Sequence, residues 1–203
     1  MIDTKPDRMA AEPTSLGAVA RALAARQPEL MTAGGRTSAA VALILRQEPA
    51  GLSLLLIERA TREGDPWSGD LGFPGGKVEA EDPDPRAAAE RETREELGLD
   101  LPGACFLGRL DDIVGAHLPV LVSCFAYGFA GPVALRPGAE VRDAFWVPLA
   151  EIADPARHSS AAVRFGGEEF LRPAIILATP GKPVLWGITY RLVMQFLALA
   201  GES

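Results

Sequence analysis

The sequence predicts a sandwich of the α/β or α+β class, with helices packed on a mixed β-sheet. Three observations carry that reading. Two apolar runs, Ser38 to Leu45 and Leu52 to Ile57, flank Gln47-Glu48-Pro49-Ala50-Gly51, as strands joined by a hairpin loop do. Residues 85–97 lie between Asp84-Pro85, which suits a helix start, and Gly98, which suits a helix stop. A final stretch, Trp186 to Leu199, carries Ile188, Leu192, Met194, Phe196 and Leu199 in helical phase and should pack as a closing helix. A chain of 203 residues, 48% hydrophobic, can bury one sizeable core. One domain over residues 14–203 is expected, after a flexible tail at 1–13 whose charges, prolines and alanines show no period.

From Ser15, Leu16, Val19, Ala20 and Leu23 recur at helical spacing to about Arg26 and predict a helix at the domain edge. The two apolar strands then begin the sheet. Ala60 to Gly72 is polar and contains Gly64, Pro66 and Gly69, which predicts a loop leading into Phe73-Pro74-Gly75-Gly76, where paired glycines permit tight turns and close backbone approach. After the helix at 85–97, strands are expected at Cys105 to Leu110, Leu118 to Phe129 and Val141 to Val147, with a short helix after Pro148. Val163 to Phe165 and Glu169 to Ile176 flank Gly166-Gly167, a hairpin signal. The chain shows no internal repeat and no low-complexity linker.

The net charge of −7 is uneven. Residues 77–100 hold nine acids against four bases, while the rest of the chain is nearly balanced. Without a basic face, nonspecific nucleic-acid binding is not expected, and an anionic substrate needs a metal or specific arginines. Cys105 and Cys124 lie in apolar runs without metal-ligand spacing and are expected as buried free thiols, which fits a reducing compartment. No hydrophobic run reaches the roughly 20 residues of a membrane span, so a soluble, cytoplasmic protein is expected, with no membrane partner.

Glu92, Glu95 and Glu96 stand three and four residues apart and share one side of the predicted helix, near its C-terminal end. That placement is electrostatically poor, because like charges repel and the helix C-terminus already carries partial negative charge. A divalent cation reverses the sign of the cost: hard ions such as Mg2+ bind carboxylate oxygens and usually take substrate phosphates as further ligands. Paired to Arg91 and Arg94 on an exposed helix, the same acids would gain at most about 1 kcal/mol per pair.

Gly76 and Arg91-Glu92-Thr93-Arg94-Glu95-Glu96-Leu97-Gly98-Leu99 resemble the box of the Nudix hydrolase family: Gly, five residues, Glu, seven residues, then Arg-Glu-apolar-x-Glu-Glu-x-Gly-apolar. Asp82 stands where the family has Glu, eight residues rather than seven precede Arg91, and Thr93 replaces a larger apolar residue. The chain also looks like the coenzyme A pyrophosphatase branch and its bacterial relatives. Leu55-Leu56-Ile57-Glu58-Arg59-Ala60 and Gly69-Asp70-Leu71-Gly72-Phe73-Pro74-Gly75-Gly76 correspond to that branch's segment, with one extra residue between them. The branch's internal arginine falls on Gly64 or Asp65, and Arg62 is the nearby substitute.

The resemblance implies an α/β/α sandwich with a mixed sheet and a box at 76–99. It implies Glu92, Glu95 and Glu96 as ligands of Mg2+, with Mn2+ a substitute, and Arg91 as the residue that orients them. Gly76 would offer its carbonyl to the metal or simply allow the turn. The general base would be a box glutamate, Glu95, or a distant one, Glu140. Arg59 and Arg62 would meet substrate phosphates, and Trp67 and Phe73 would line a base or pantetheine pocket or else pack. His117 and His158 are isolated and receive no role. The expected substrate is a small nucleoside diphosphate derivative, coenzyme A or its thioesters first. ADP-ribose, dinucleoside polyphosphates and oxidised nucleoside triphosphates are alternatives, as is a catalytically silent nucleotide-binding module. Homodimers are common in the family; the apolar strands and N-terminal helix would supply either an interface or core.

Overall fold

The computed structural model describes residues 15–62, 67–116 and 118–200. The expected tail at 1–13, Gly64, Asp65 and His117 lie outside these residues. Helix α1 (Leu16–Ala24) begins where the Ser15 hydroxyl accepts the Ala18 N–H at 3.2 Å. Strands β1 (Thr37–Glu48) and β2 (Gly51–Arg59) form the expected hairpin, closed by Pro49-Ala50. Two short pieces follow, β3 (Leu71–Gly72) and β4 (Gly75–Lys77), and then helix α2 (Pro85–Leu97). The bounds of α2 match its sequence signals: Asp84 accepts the Ala87 N–H at 2.9 Å, and Gly98 closes the helix at φ 61°, a left-handed conformation that favours glycine. Next come β5 (Cys105–Arg109), β6 (Ile113–Val114), β7 (Val120–Phe129), β8 (Val141–Pro148) and the short helix α3 (Leu149–Ala153). A separate sheet of β9 (His158–Phe165), β10 (Glu168–Ile175) and β11 (Leu185–Trp186) precedes the closing helix α4 (Gly187–Ala200).

The main sheet is mixed, because β1 runs parallel to β7 over ten residue pairs while its other neighbours are antiparallel. Side chains alternate across a strand, so each of its faces can be assigned. On one face, Leu43, Leu45, Leu54, Leu56 and Val122 pack with Val19 and Leu23 of α1, Ile152 of α3, and Leu192 and Phe196 of α4. On the other, Ala40, Ala42, Ile44, Leu55, Ile57 and Tyr127 pack with Ala88, Ala89 and Leu97 of α2. Burial on both faces makes these strands read as continuous apolar runs and gives the α/β/α sandwich. It also settles their role and that of the buried face of α1 as core.

Beyond its turn the hairpin opens into a fork. β2 pairs with β1 through Gly51 to Leu54, and farther along, Ile57 and Glu58 pair with Gly72 and Leu71 of β3. Ala39 to Val41 of β1 pair with β4. Residues 71–77 therefore fill the gap between the diverging strands, and the Ala42 N–H donates to the Pro74 carbonyl at 2.9 Å. The expected glycine loop is in part a strand. Gly75, at φ 147°, lies so close to the backbone of Ala40 and Val41 that any Cβ would collide with it.

Cys124 is buried as expected, but Cys105 is exposed. Strand β5 is an edge strand beside β7, and its first two residues lie outside the core. At Gly108 the β5–β7 register shifts, and φ is 147°. A Cβ there would sit 2.7 Å from Cβ of Leu23 on α1. Gly108→Ala is expected to destabilise the protein by about 2 kcal/mol or more through strain and the displacement of α1, read as a lowered urea midpoint at unchanged slope.

Candidate active site

Helix α2 presents its C-terminal turns to the fork. Glu96 is only 5% exposed, and its Oε2 accepts the Gly75 N–H at 3.0 Å. Burial pushes its carboxyl up to about 7, against the pull of that N–H and of Arg59, whose Nη1 stands 3.9 Å from Oε1. One turn earlier, the Glu92 carboxylate lies flat against Gly76, where any Cβ would overlap it. Burial raises the Glu92 carboxyl too, offset in part by Arg91. The glycine pair thus admits the two carboxylates to the strand backbone, a need independent of turn formation.

Arg91 holds this arrangement from outside. Its Nε and Nη2 donate to the two oxygens of Asp82 at 3.0 and 2.9 Å, a bidentate pair, while Nη1 donates to Glu92 Oε1 at 2.8 Å. Nη2 also reaches the Lys77 carbonyl at 3.1 Å. The bond to Asp82 is the main reason the guanidinium is held more firmly protonated, and it draws the Asp82 carboxyl below its usual range. The sequence marked Asp82 only as a departure from the box; the structure makes it the anchor of Arg91. Thr93, the other departure, is fully buried and satisfies its hydroxyl on the Ala89 carbonyl at 2.7 Å.

The remaining expected site residues divide by location. The Glu95 side chain is 58% exposed, with Oε2 3.5 Å from Arg91 Nη1, the same nitrogen that binds Glu92. Glu140 pairs with Arg62 at 3.0 Å, both half-exposed, and its charge contributes to raising Glu92 and Glu96. A cavity of ≈310 Å³ opens beside Gly75 and Gly76 and is lined by Arg59, Trp67, Phe73 and Lys77 among others. Phe73 is otherwise buried in the core, so its ring serves as wall and packing together. Arg62 does not line this cavity. Lys77 does, and sequence reasoning missed it; its position one residue after the glycine pair was the available signal. His158 binds the Ile152 carbonyl at 2.8 Å, a structural contact.

Among the described residues, no three acidic, histidine or cysteine side chains converge closely enough to enclose a metal by themselves. Glu96, buried, and Glu92, partly buried, bring two carboxylates against Gly75 and Gly76, which line the cavity, while the more exposed Glu95 shares the Arg91 guanidinium with Glu92. Two carboxylates beside an open cavity suit Mg2+, which usually binds through one or two carboxylates, waters and substrate phosphates. No described helix is long and apolar enough to cross a membrane.

Residues 35–165, more than half of the chain, match the family model of the NUDIX domain. An uncharacterized protein of Schizosaccharomyces pombe is 38% identical over 110 residues, which make up 50% of this chain and 33% of that protein. The mitochondrial coenzyme A diphosphatase NUDT8 of Homo sapiens is 33% identical over 154 residues, 75% of this chain and 64% of its own. The chain therefore spans between a third and just under two thirds of the length of these relatives. A crystal structure of a MutT/nudix family protein from Enterococcus faecalis shares the fold, with a TM-score of 0.53 at 18% identity, covering 84% of this chain and 62% of that one.

Glu96 gives the site a pH signature. Its folded-state pKa of about 7 lies above the ordinary 4.5, so the folded protein holds a proton that the unfolded chain releases between those values. Stability of protein stripped of divalent ions is expected to fall as pH rises from about 5 to about 8, by on the order of 3 kcal/mol. Glu96→Gln keeps an acceptor for Gly75 and should flatten that profile, raising Tm at pH 8. An unchanged profile in the variant would assign the loss to other groups.

Proposed function

The chain belongs to the Nudix family, and on that premise we propose that it is a Mg2+-dependent pyrophosphohydrolase acting on a nucleoside diphosphate derivative, with coenzyme A or its thioesters as the first substrate. The observation that carries the reading is the pair of carboxylates, Glu96 buried and Glu92 partly buried, set against Gly75-Gly76, which together with Arg59 line a cavity. Desolvated acids are a standing cost unless an ion or a proton neutralises them. Glu92, Glu96 and the Gly76 main chain would hold Mg2+, or Mn2+ in its place, which when bound would neutralise diphosphate charge and ease departure of the leaving oxygen.

The chain's own residues supply the rest. Arg91, fixed by Asp82, keeps Glu92 in its rotamer, and such outer contacts commonly orient ligands. Arg59, partly buried beside Glu96, is placed for charge-assisted hydrogen bonds to phosphate oxygens. Acceptance of the proton from the attacking water falls to Glu95 or Glu140, both solvent-exposed carboxylates whose charges act on Glu92. Coenzyme A is favoured because the human relative is named a coenzyme A diphosphatase. The free cysteines, one exposed and one buried, accord with a reducing compartment such as the cytoplasm.

The test is a panel of diphosphates incubated with Mg2+, the products identified by mass. Coenzyme A is expected to yield 3′,5′-ADP and 4′-phosphopantetheine, and Glu96→Gln to lower turnover at least about a hundredfold. Turnover of only ADP-ribose, dinucleoside polyphosphates or oxidised nucleoside triphosphates would replace the substrate assignment. Inactivity on every diphosphate would make the domain a binding module.

A further inference from the structure

Beside the catalytic basin lies a second cavity, of ≈280 Å³, walled by Trp67, Leu118, Phe165, Trp186 and Ile188. The two cavities share Trp67, Asp70, Val120, Ile188 and Thr189, so one molecule can lie across both. The dividing wall is built on the strand that carries Arg59. The Arg59 N–H donates to the Asp70 carbonyl at 3.0 Å, the Asp70 N–H donates to the Trp67 carbonyl at 3.1 Å, and the Trp186 Nε1–H donates to Asp70 Oδ1 at 3.0 Å. The aromatic compartment is thereby fixed in register with the diphosphate basin.

The wall also limits what can occupy the compartment. Trp67 and Phe165 meet with centroids 6.2 Å apart and planes at 57°, and Phe165 and Trp186 at 6.3 Å and 79°. These rings pack against one another by their edges and leave no pair of parallel faces between which a purine could stack. The lining is mainly apolar, and among its polar side chains Asp70 accepts from Trp186 while Arg172 and Arg191 donate to the Leu171 and Val114 carbonyls, whereas a base read by its edge would need several donors and acceptors fixed toward it. A flexible chain of methylenes, methyls and amides makes no such demand.

We propose that this compartment binds the apolar amide chain of the non-nucleotide half of the substrate, the pantetheine arm, and so selects coenzyme A-like diphosphates; the assignment rests on the substrate reading above. The hairpin of β9 and β10 contributes Phe165 next to its Gly166-Gly167 turn, which gives this second sheet a role in specificity. The diphosphate then lies toward Arg59 and Gly76, and the nucleotide half extends out of the basin on the side away from Trp186.

Two of the three tryptophans, Trp67 and Trp186, wall the compartment, while Trp146 lies under Arg46 at 4.4 Å. Trp67 also lines the basin, so intrinsic fluorescence reports occupancy of either cavity without metal or catalysis, and the variants below assign a change to the compartment. Titration of the full chain with pantetheine, which carries no phosphate, should give a saturable change with Kd on the order of 1 mM or tighter. Ala116→Phe, at an exposed lining position, and Phe165→Ala should each weaken it at least about tenfold. In the same variants KM for coenzyme A should rise by a similar factor with kcat little changed, and KM for any turned-over diphosphate without the arm should stay constant. Any change with adenosine, which can meet Trp67 from the basin, should be the same in Ala116→Phe. No saturable change with pantetheine, equal binding in both variants, or adenosine binding that Ala116→Phe weakens would each overturn the proposal. Pantetheine binding without turnover of coenzyme A would refute the catalytic reading while leaving the compartment's chemistry supported.

Discussion

The site depends on one hydrogen bond, from the Gly75 N–H to the buried carboxylate of Glu96. It joins the strand piece that fills the fork of the β1–β2 hairpin to the last turns of α2. Both ends are constrained: Gly75 cannot carry a side chain against β1, and Glu96 lies between the sheet and Arg59. Burying a carboxylate there costs more than one neutral hydrogen bond returns, so the arrangement is intelligible as binding machinery and poor as a stabilising device.

The surroundings of α2 show how that cost is contained. A helix ending in acids should fray, yet the Arg136 N–H donates to the Leu97 carbonyl at 2.7 Å and the Gly138 N–H to the Glu96 carbonyl at 2.8 Å. This segment caps two carbonyls that would otherwise be unsatisfied, and it leads directly to Glu140. Arg91 gathers Asp82 and Glu92 on one guanidinium. The extra residue relative to the family pattern lies between Asp82 and Arg91, and in the turn before it Asp82 also accepts the Glu79 N–H at 2.8 Å.

Local signals in the sequence were sufficient for α2, for the hairpin and for the Gly166-Gly167 turn, because capping residues and two-residue turns act through neighbours in the chain. The family pattern added the box carboxylates. What the sequence concealed was nonlocal. The fork exists because β1 and β2 each exchange partners midway, which no period records, and Cys105 is exposed because β5 is an edge strand. Glu92, Glu95 and Glu96 are alike by spacing, but the fold sets Glu92 against Gly76 and Glu96 against Gly75 and leaves Glu95 the more exposed. The aromatic compartment was legible only through Trp67; Phe165 and Trp186 come from elements about 100 residues farther along the chain and meet it only in the folded structure.

The central claim is that the Glu92 and Glu96 carboxylates bind a divalent cation. Calorimetric titration of Mg2+ into the metal-free protein, in buffers of different ionisation enthalpy, measures the protons displaced as the ion binds. With Glu96 near 7, close to one proton per ion should be released at pH 6 and few at pH 8. Saturable binding with the same proton release at both pH values, or no saturable binding at all, would contradict the account.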